Sequence, residues 1–161
     1  MKSRTTHFLV AAVTALALGI SPTADAADKG CSNASLRGTF AYTSTGFITA
    51  ASAGPVGPLA EVGTQTFDGN GKTTATATLT ANGTIFQLTI TGTYTVNPDC
   101  TGTFSLQATF PPASGIGTVP VDVFFVLDNT NTEFQAMETD PGLVITRIGR
   151  LQFPAVGDWR Q

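Results

Sequence analysis

The segment TATATLTANGTIFQLTIT, residues 74–91, constrains this chain more than any other. Threonine alternates with apolar residues, the alternation breaks at Asn82-Gly83, and then it resumes. Period-two alternation marks a strand with one greasy face. Asn-Gly is the strongest short hairpin signal, because a type I′ turn needs positive φ at both central residues. A two-residue turn there pairs Leu79 with Phe86, Ala77 with Leu88 and Ala75 with Ile90 on one face. The other face then carries Thr78–Gln87, Thr76–Thr89 and Thr74–Thr91. A slip of one residue would spoil both faces, so turn chemistry and pattern demand the same register.

The same alternation runs through the rest of the chain. A first strand spans 36–47, with Leu36, Gly38, Phe40 and Tyr42 on one face. A Gly/Ala/Pro-rich loop covers 47–58, a second strand 59–67, and FDGNGK turns the chain tightly. Tyr94 and Val96 extend the apolar face downstream, NPDCTG is a turn, and Phe104, Leu106, Ala108 and Phe110 resume the face. PPASGIG is a second long loop. Val121, Val123, Phe125 and Leu127 mark a sixth strand, and Phe134, Ala136 and Glu138 a seventh. Leu143, Ile145, Arg147, Gly149, Leu151 and Phe153 mark an eighth. No segment keeps a convincing helical period.

Eight strands joined by tight turns predict an all-β fold, an eight-stranded antiparallel up-and-down barrel that closes to hide its edges. A β-sandwich is the competing architecture and would favour Greek-key crossings. Eight strands enclose room for packed side chains or for one small ligand. Threonine is then the outer coat, which keeps a chain with only 12% charged residues in water. T-x-T arrays also occur on flat ice-binding faces. That role needs several stacked, untwisted strands, and the pattern shows the array on two.

Residues 1–26 read as a signal peptide. Lys2 and Arg4 precede an apolar run from Phe8 to Ile20, and Ala24-Asp25-Ala26 supplies the small-x-small cleavage pattern. The run is short for a membrane span, and no second one follows. The expected mature chain, 27–161, is a single β-barrel domain exported to the periplasm or beyond the cell, with no membrane span. In an exported chain, Cys31 and Cys100 most simply form a disulfide. The alternative, a reactive thiol pair, lacks a CxxC spacing or a basic neighbour. The formal net charge is −3 and the bases are scattered, so there is no electrostatic footprint for nucleic acid or anionic lipid.

The one histidine, His7, falls in the signal peptide. Histidine acid–base work, Ser-His-Asp and Cys-His arrangements and the usual zinc sites go with it. Asp68-Gly69-Asn70-Gly71 lacks the long loop and terminal Glu of a calcium site and reads as a plain turn. No metal and no cofactor is expected, and no catalytic residue is named. Carboxylate chemistry survives. A hairpin at DGNG pairs 67 with 73 and 65 with 75, which turns Glu61 and Gln65 inward. A turn centred on Pro141-Gly142 sets Ala136 opposite Arg147, with Glu138 on the diagonal. Glu61, Gln65, Glu138 and Arg147 then point into the barrel, with Tyr42 or Tyr94 near an end. A buried charge must be paired or solvated. Three readings stand: a structural Arg147–Glu138 pair, a shifted register that leaves these residues outside, or a polar anchor in a ligand cavity. The phenylalanines, Phe40, Phe67, Phe86, Phe104, Phe125, Phe134 and Phe153, could instead fill the interior. Trp159, in the tail, is read as a plug for a barrel end or an anchor for a partner.

With CSNASLRGTF, FDGNGK and GTYTVNPDCTGTFSL aligned, the chain resembles a group of small exported bacterial proteins of unassigned function. These begin C-S-x-x-S-L-x-G-x-[FY] and carry G-x-Y-x-V-x-x-D-C-x-G-x-[FY] near the middle. The matching residues are Cys31, Ser32, Ser35, Leu36, Gly38 and Phe40, then Gly92, Tyr94, Val96, Asp99, Cys100, Gly102 and Phe104. The resemblance implies a calycin-like barrel of the lipocalin or allene-oxide-cyclase sort and implies no agreed activity. Gly38-Thr39-Phe40 stands where lipocalins carry G-x-W, and ITAASAGPVGP is similar to the lid over a lipocalin mouth. The functional expectation is a non-enzymatic binding module for a small apolar or amphipathic molecule, with Tyr42, Glu61, Gln65, Tyr94, Glu138 and Arg147 as ligand-binding residues. The alternatives are a cavity enzyme of the cyclase or isomerase type that acts by shape, and a purely structural or interaction module.

Overall fold

A computed structural model describes residues 30–153. The expected signal peptide, residues 1–26 with His7 and the expected cleavage site, and Trp159 lie outside the described residues. Eight strands follow in chain order: β1 (Arg37–Ile48), β2 (Gly57–Asp68), β3 (Lys72–Ala81), β4 (Thr84–Val96), β5 (Thr101–Thr109), β6 (Thr118–Leu127), β7 (Glu133–Glu138) and β8 (Leu143–Leu151). Each pairs antiparallel with the next, and β8 returns to β1, so the sheet closes as an up-and-down barrel. The closed ring leaves no place for the sandwich alternative. Among the described residues no helix is long and apolar enough to cross a membrane.

The 74–91 hairpin takes the register its turn demands: Leu79 faces Phe86, Ala77 faces Leu88, and Ala75 faces Ile90. Asn82 and Gly83 both have positive φ, as a type I′ turn requires. The next two registers follow as well, with Phe67 opposite Thr73 and Ala136 opposite Arg147. The first long loop is shorter than composition implies, because β1 continues to Ile48 and β2 begins at Gly57; the second is not, because β5 ends at Thr109 and leaves Phe110 beyond the strand. Phe153 departs from expectation. β8 ends at Leu151, and Phe153 sits in a left-handed conformation, 91% exposed, so it contributes nothing to the interior.

The barrel has two unlike halves. At one end Phe40, Phe67, Phe104, Phe125 and Phe134 pack into a solid plug, with Phe104 stacked on Phe125 at 4.3 Å and Phe67 edge-on to Phe40 at 5.5 Å. Such pairs add about 0.5–1.5 kcal/mol each beyond their buried area. Glycine makes room for the rings. Gly102 faces Phe125 and Gly149 faces Phe134 across the ladder, and a methyl group at either position would overlap the facing ring. Gly149→Val should therefore cost about 1–3 kcal/mol by overpacking. Chemical denaturation of the variant checks this, and an unchanged midpoint would mean the plug is loose.

The plug is sutured from outside. The Cys31–Cys100 disulfide closes a sequence separation of 69 and ties the N-terminal segment to the β4–β5 turn. Asn33 Oδ1 accepts the Val96 N–H at 2.8 Å beside it. In the β2–β3 turn, Asp68 accepts the backbone N–H groups of Asn70 and Lys72. These bonds hold its carboxyl below the usual range, the Lys72 N–H foremost, and show DGNG at work as a turn.

The outer wall is two-sided. Threonine forms rows around it, wider than the two-strand reading of the sequence. One row runs Thr64–Thr76–Thr89–Thr109–Thr118 across β2 to β6, and another Thr39–Thr66–Thr74–Thr91 across β1 to β4. Closure bends these rows around the wall, so they form no flat plane. The opposite side, on β6–β8, exposes Phe124, Val126, Met137, Val144 and Ile148, so threonine coats only part of the barrel.

Candidate functional site

Away from the phenylalanine plug the inward residues are mostly aliphatic or small, Leu79, Leu88, Ile90, Ala108, Val121 and Ile145, with Phe86 and Phe110 set edge-on to each other at 5.3 Å among them. Aliphatic side chains reach less far across a barrel than phenyl rings, and the difference is left as space. A cavity of about 310 Å³ occupies this half, at the low end for small-molecule sites, roughly 300–1,000 Å³. Residues 51–55, a short 3-10 turn and the bend after it, lie over the cavity from the β1–β2 loop. This is the Gly/Ala/Pro-rich loop between the first two strands.

The floor of the cavity is charged. Arg147 on β8 is buried, 4% exposed, and its Nη2 faces Glu61 Oε2 of β2 at 3.4 Å and Glu138 Oε1 of β7 at 3.7 Å. Its Nε donates to Ser44 Oγ of β1 at 3.0 Å. The guanidinium carbon lies 4.5 Å from the centre of the Tyr42 ring, in reach of a cation–π contact. The Tyr42 hydroxyl donates to Glu61 Oε1 at 2.6 Å. Arg147 Nη1 is buried with no hydrogen-bond partner among the described residues.

The reading in which a shifted register leaves these residues outside is corrected by this geometry. Four of the six expected residues, Tyr42, Glu61, Glu138 and Arg147, meet in one cluster. The pair expected between Arg147 and Glu138 is a triad, since Glu61 lies closer to the guanidinium than Glu138 does. Gln65 and Tyr94 stand elsewhere. Gln65 is fully buried below the cluster, where its Nε2 donates to Thr73 Oγ1 at 3.1 Å. Tyr94 is at the plugged end, edge-on to Phe67. Its hydroxyl donates to the Leu36 carbonyl at 2.8 Å and accepts the Gly69 N–H at 2.8 Å. Neither residue lines the cavity, nor does Tyr42, which meets the cluster from behind through Glu61 and Arg147. Ser44 belongs to the cluster and was missed. Its only signal was its phase with Tyr42 on the same inward face.

Burial sets the electrostatics. Desolvation pushes the Glu138 carboxyl up to about 7, against the opposing pull of Arg147, with Glu61 and Asp140 adding to the rise. Desolvation and the Glu61 charge push the Tyr42 phenol well above its ordinary range. Glu138 therefore holds its proton in the folded state through pH values at which the unfolded chain, with its ordinary value of 4.5, has lost it. Unfolding then releases a proton, and the group's contribution to stability falls as pH rises from 4.5 to about 7, by about 3 kcal/mol in total. Glu138→Gln should remove that slope. Paired urea titrations of wild type and variant between those pH values check it; parallel curves would show Glu138 ionised throughout.

The fold and site together define a closed eight-stranded up-and-down β-barrel, solid at one end and hollow at the other, with a buried guanidinium–carboxylate floor. Comparison with protein-family models, curated proteins and solved structures finds no match to this chain.

Proposed function

We propose that this chain is an exported, non-enzymatic binding module for a small apolar or amphipathic molecule. One observation carries the reading: the apolar half-barrel cavity ends on a charged floor, so a ligand would be held by its greasy body and oriented at one end. A purely structural barrel would gain more from filling that half with further phenylalanine. The disulfide supports an oxidising destination, as does the signal-peptide pattern of residues 1–26.

A second reading is a cavity enzyme of the cyclase or isomerase type. It is favoured by one specific observation, a carboxyl tuned close to neutrality at the cavity floor. Native mass spectrometry of protein recovered from the periplasm or medium without denaturant tests both readings. The binding reading predicts a mature mass lacking residues 1–26, two hydrogens fewer for the disulfide, and a one-to-one small-molecule adduct that returns unchanged after incubation. Conversion of the adduct would favour the enzyme. A bare protein from every preparation would count against both.

A further inference from the structure

Resting on the reading that the cavity takes a small ligand, we propose that this ligand is an amphipathic amine whose ammonium head pairs with the Glu138 carboxylate. Glu138, on β7, is 9% exposed and lines the cavity. Neither of its carboxyl oxygens makes a hydrogen bond among the described residues, and neither is sealed by protein, unlike Gln65 Oε1 and Arg147 Nη1. Its approach to Arg147 Nη2, at 3.7 Å, is too long for a hydrogen bond. A carboxyl held in an apolar space with free lone pairs is costly, and what satisfies it from the cavity must be a donor.

Charge decides which donor. One guanidinium faces two carboxylates, so with both ionised the floor carries one negative charge in excess. Glu61 does not leave that excess open. Its Oε1 accepts the Tyr42 hydroxyl at 2.6 Å and its Oε2 accepts Arg147 Nη2 at 3.4 Å. The unsatisfied charge is at Glu138, in a cavity whose other lining, Ser52 and the floor aside, is apolar. Either a proton or a cation arriving through the cavity neutralises it. An ammonium brings three N–H donors and one positive charge. A neutral hydroxyl can donate but leaves the charge, and a carboxylate adds another. The groups facing Glu138 are Arg147 of β8, Glu61 of β2, Tyr42 of β1 and Asp140 of the turn after β7, while β6 sets apolar Val123 opposite it. Burial keeps the proton on Glu138 up to about pH 7. Below that pH an amine must expel the proton to bind, so its affinity falls towards acid and each binding event releases a proton.

The test uses N-phenyl-1-naphthylamine, a neutral fluorescent probe of apolar cavities, bound to the intact protein and displaced by ligands of one chain length. These are decylamine, 1-decanol and decanoate. At about pH 8.5 the amine should displace the probe roughly tenfold more tightly than the alcohol, and decanoate should be the weakest of the three. At about pH 6 the alkylammonium is still charged, as a lysine would be, yet its affinity should drop roughly tenfold while that of the alcohol holds. In Glu138→Gln the preference for the amine and its pH dependence should both vanish, with probe and alcohol bound as in wild type. An alcohol that matches the amine at the higher pH, or an amine preference that survives Glu138→Gln, would overturn the proposal while leaving the cavity reading intact. Failure of the probe and all three ligands to bind would overturn the cavity reading and the proposal with it.

Discussion

Replacing Arg147 with methionine is expected to lower the unfolding free energy by about 3–5 kcal/mol, measured by urea denaturation near pH 8. Among the described residues the guanidinium is the one cation facing Glu61 and Glu138 inside the barrel. Its removal leaves buried carboxylates with no compensating charge and deprives Ser44 of its donor. Protonation of Glu138 should return part of the loss, so the deficit should be smaller near pH 5. Removing all three charges together, as Arg147→Met with Glu61→Gln and Glu138→Gln, should recover most of the stability, because the penalty lies in the unpaired charges rather than in the lost pair. A loss below about 1 kcal/mol for the single variant would mean the triad is solvated and the floor is not dry.

Removing the disulfide, as Cys31→Ala with Cys100→Ala, should cost about 4 kcal/mol. The bridge spans 69 residues of sequence, and in the chain-entropy account a loop of that length, once opened, frees the unfolded state by about this amount. For a chain of this size that corresponds to a fall of roughly 15 °C in Tm. The position of the bridge adds a second expectation. It seals the phenylalanine end, where Asn33 and Tyr94 also hold the N-terminal segment, whereas the cavity opens at the other end. The reduced or substituted protein should still take up an apolar probe well below its Tm. Loss of uptake in the folded variant would show that the two ends are coupled.

The two predictions rest on features that differ in how far the sequence revealed them. Inward or outward facing is a local property, written in alternation and pinned by turns such as Asn82-Gly83. Glu61, Glu138, Arg147 and Tyr42 could therefore be assigned to the interior, and the hairpin registers followed residue by residue. Height along the barrel axis is not local. It depends on the stagger accumulated around all eight strands, and so the sequence set Tyr94 inward and near an end without showing that the end is the plugged one. Ser44 was overlooked because a serine between threonines resembles the outer coat, although its phase places it with Tyr42. The division into a filled and a hollow half was also illegible. It depends on which strands bring phenylalanine to the same level, and on glycines such as Gly102 and Gly149 lying opposite those rings. Phe153 failed for a simpler reason: alternation continued in the sequence two residues beyond the last ladder pairing.

The hollow half is the central claim, and Ala108→Phe tests it most directly. Ala108 faces the cavity from β5, and a phenyl ring there would occupy the space a ligand needs. Titration with N-phenyl-1-naphthylamine should show saturable one-to-one binding to wild type. In the variant binding should be weaker by tenfold or more while the Tm holds or rises, as expected when a side chain fills an existing void. A wild-type barrel that takes up no probe, or a filled variant that binds it as well as wild type, would contradict the account.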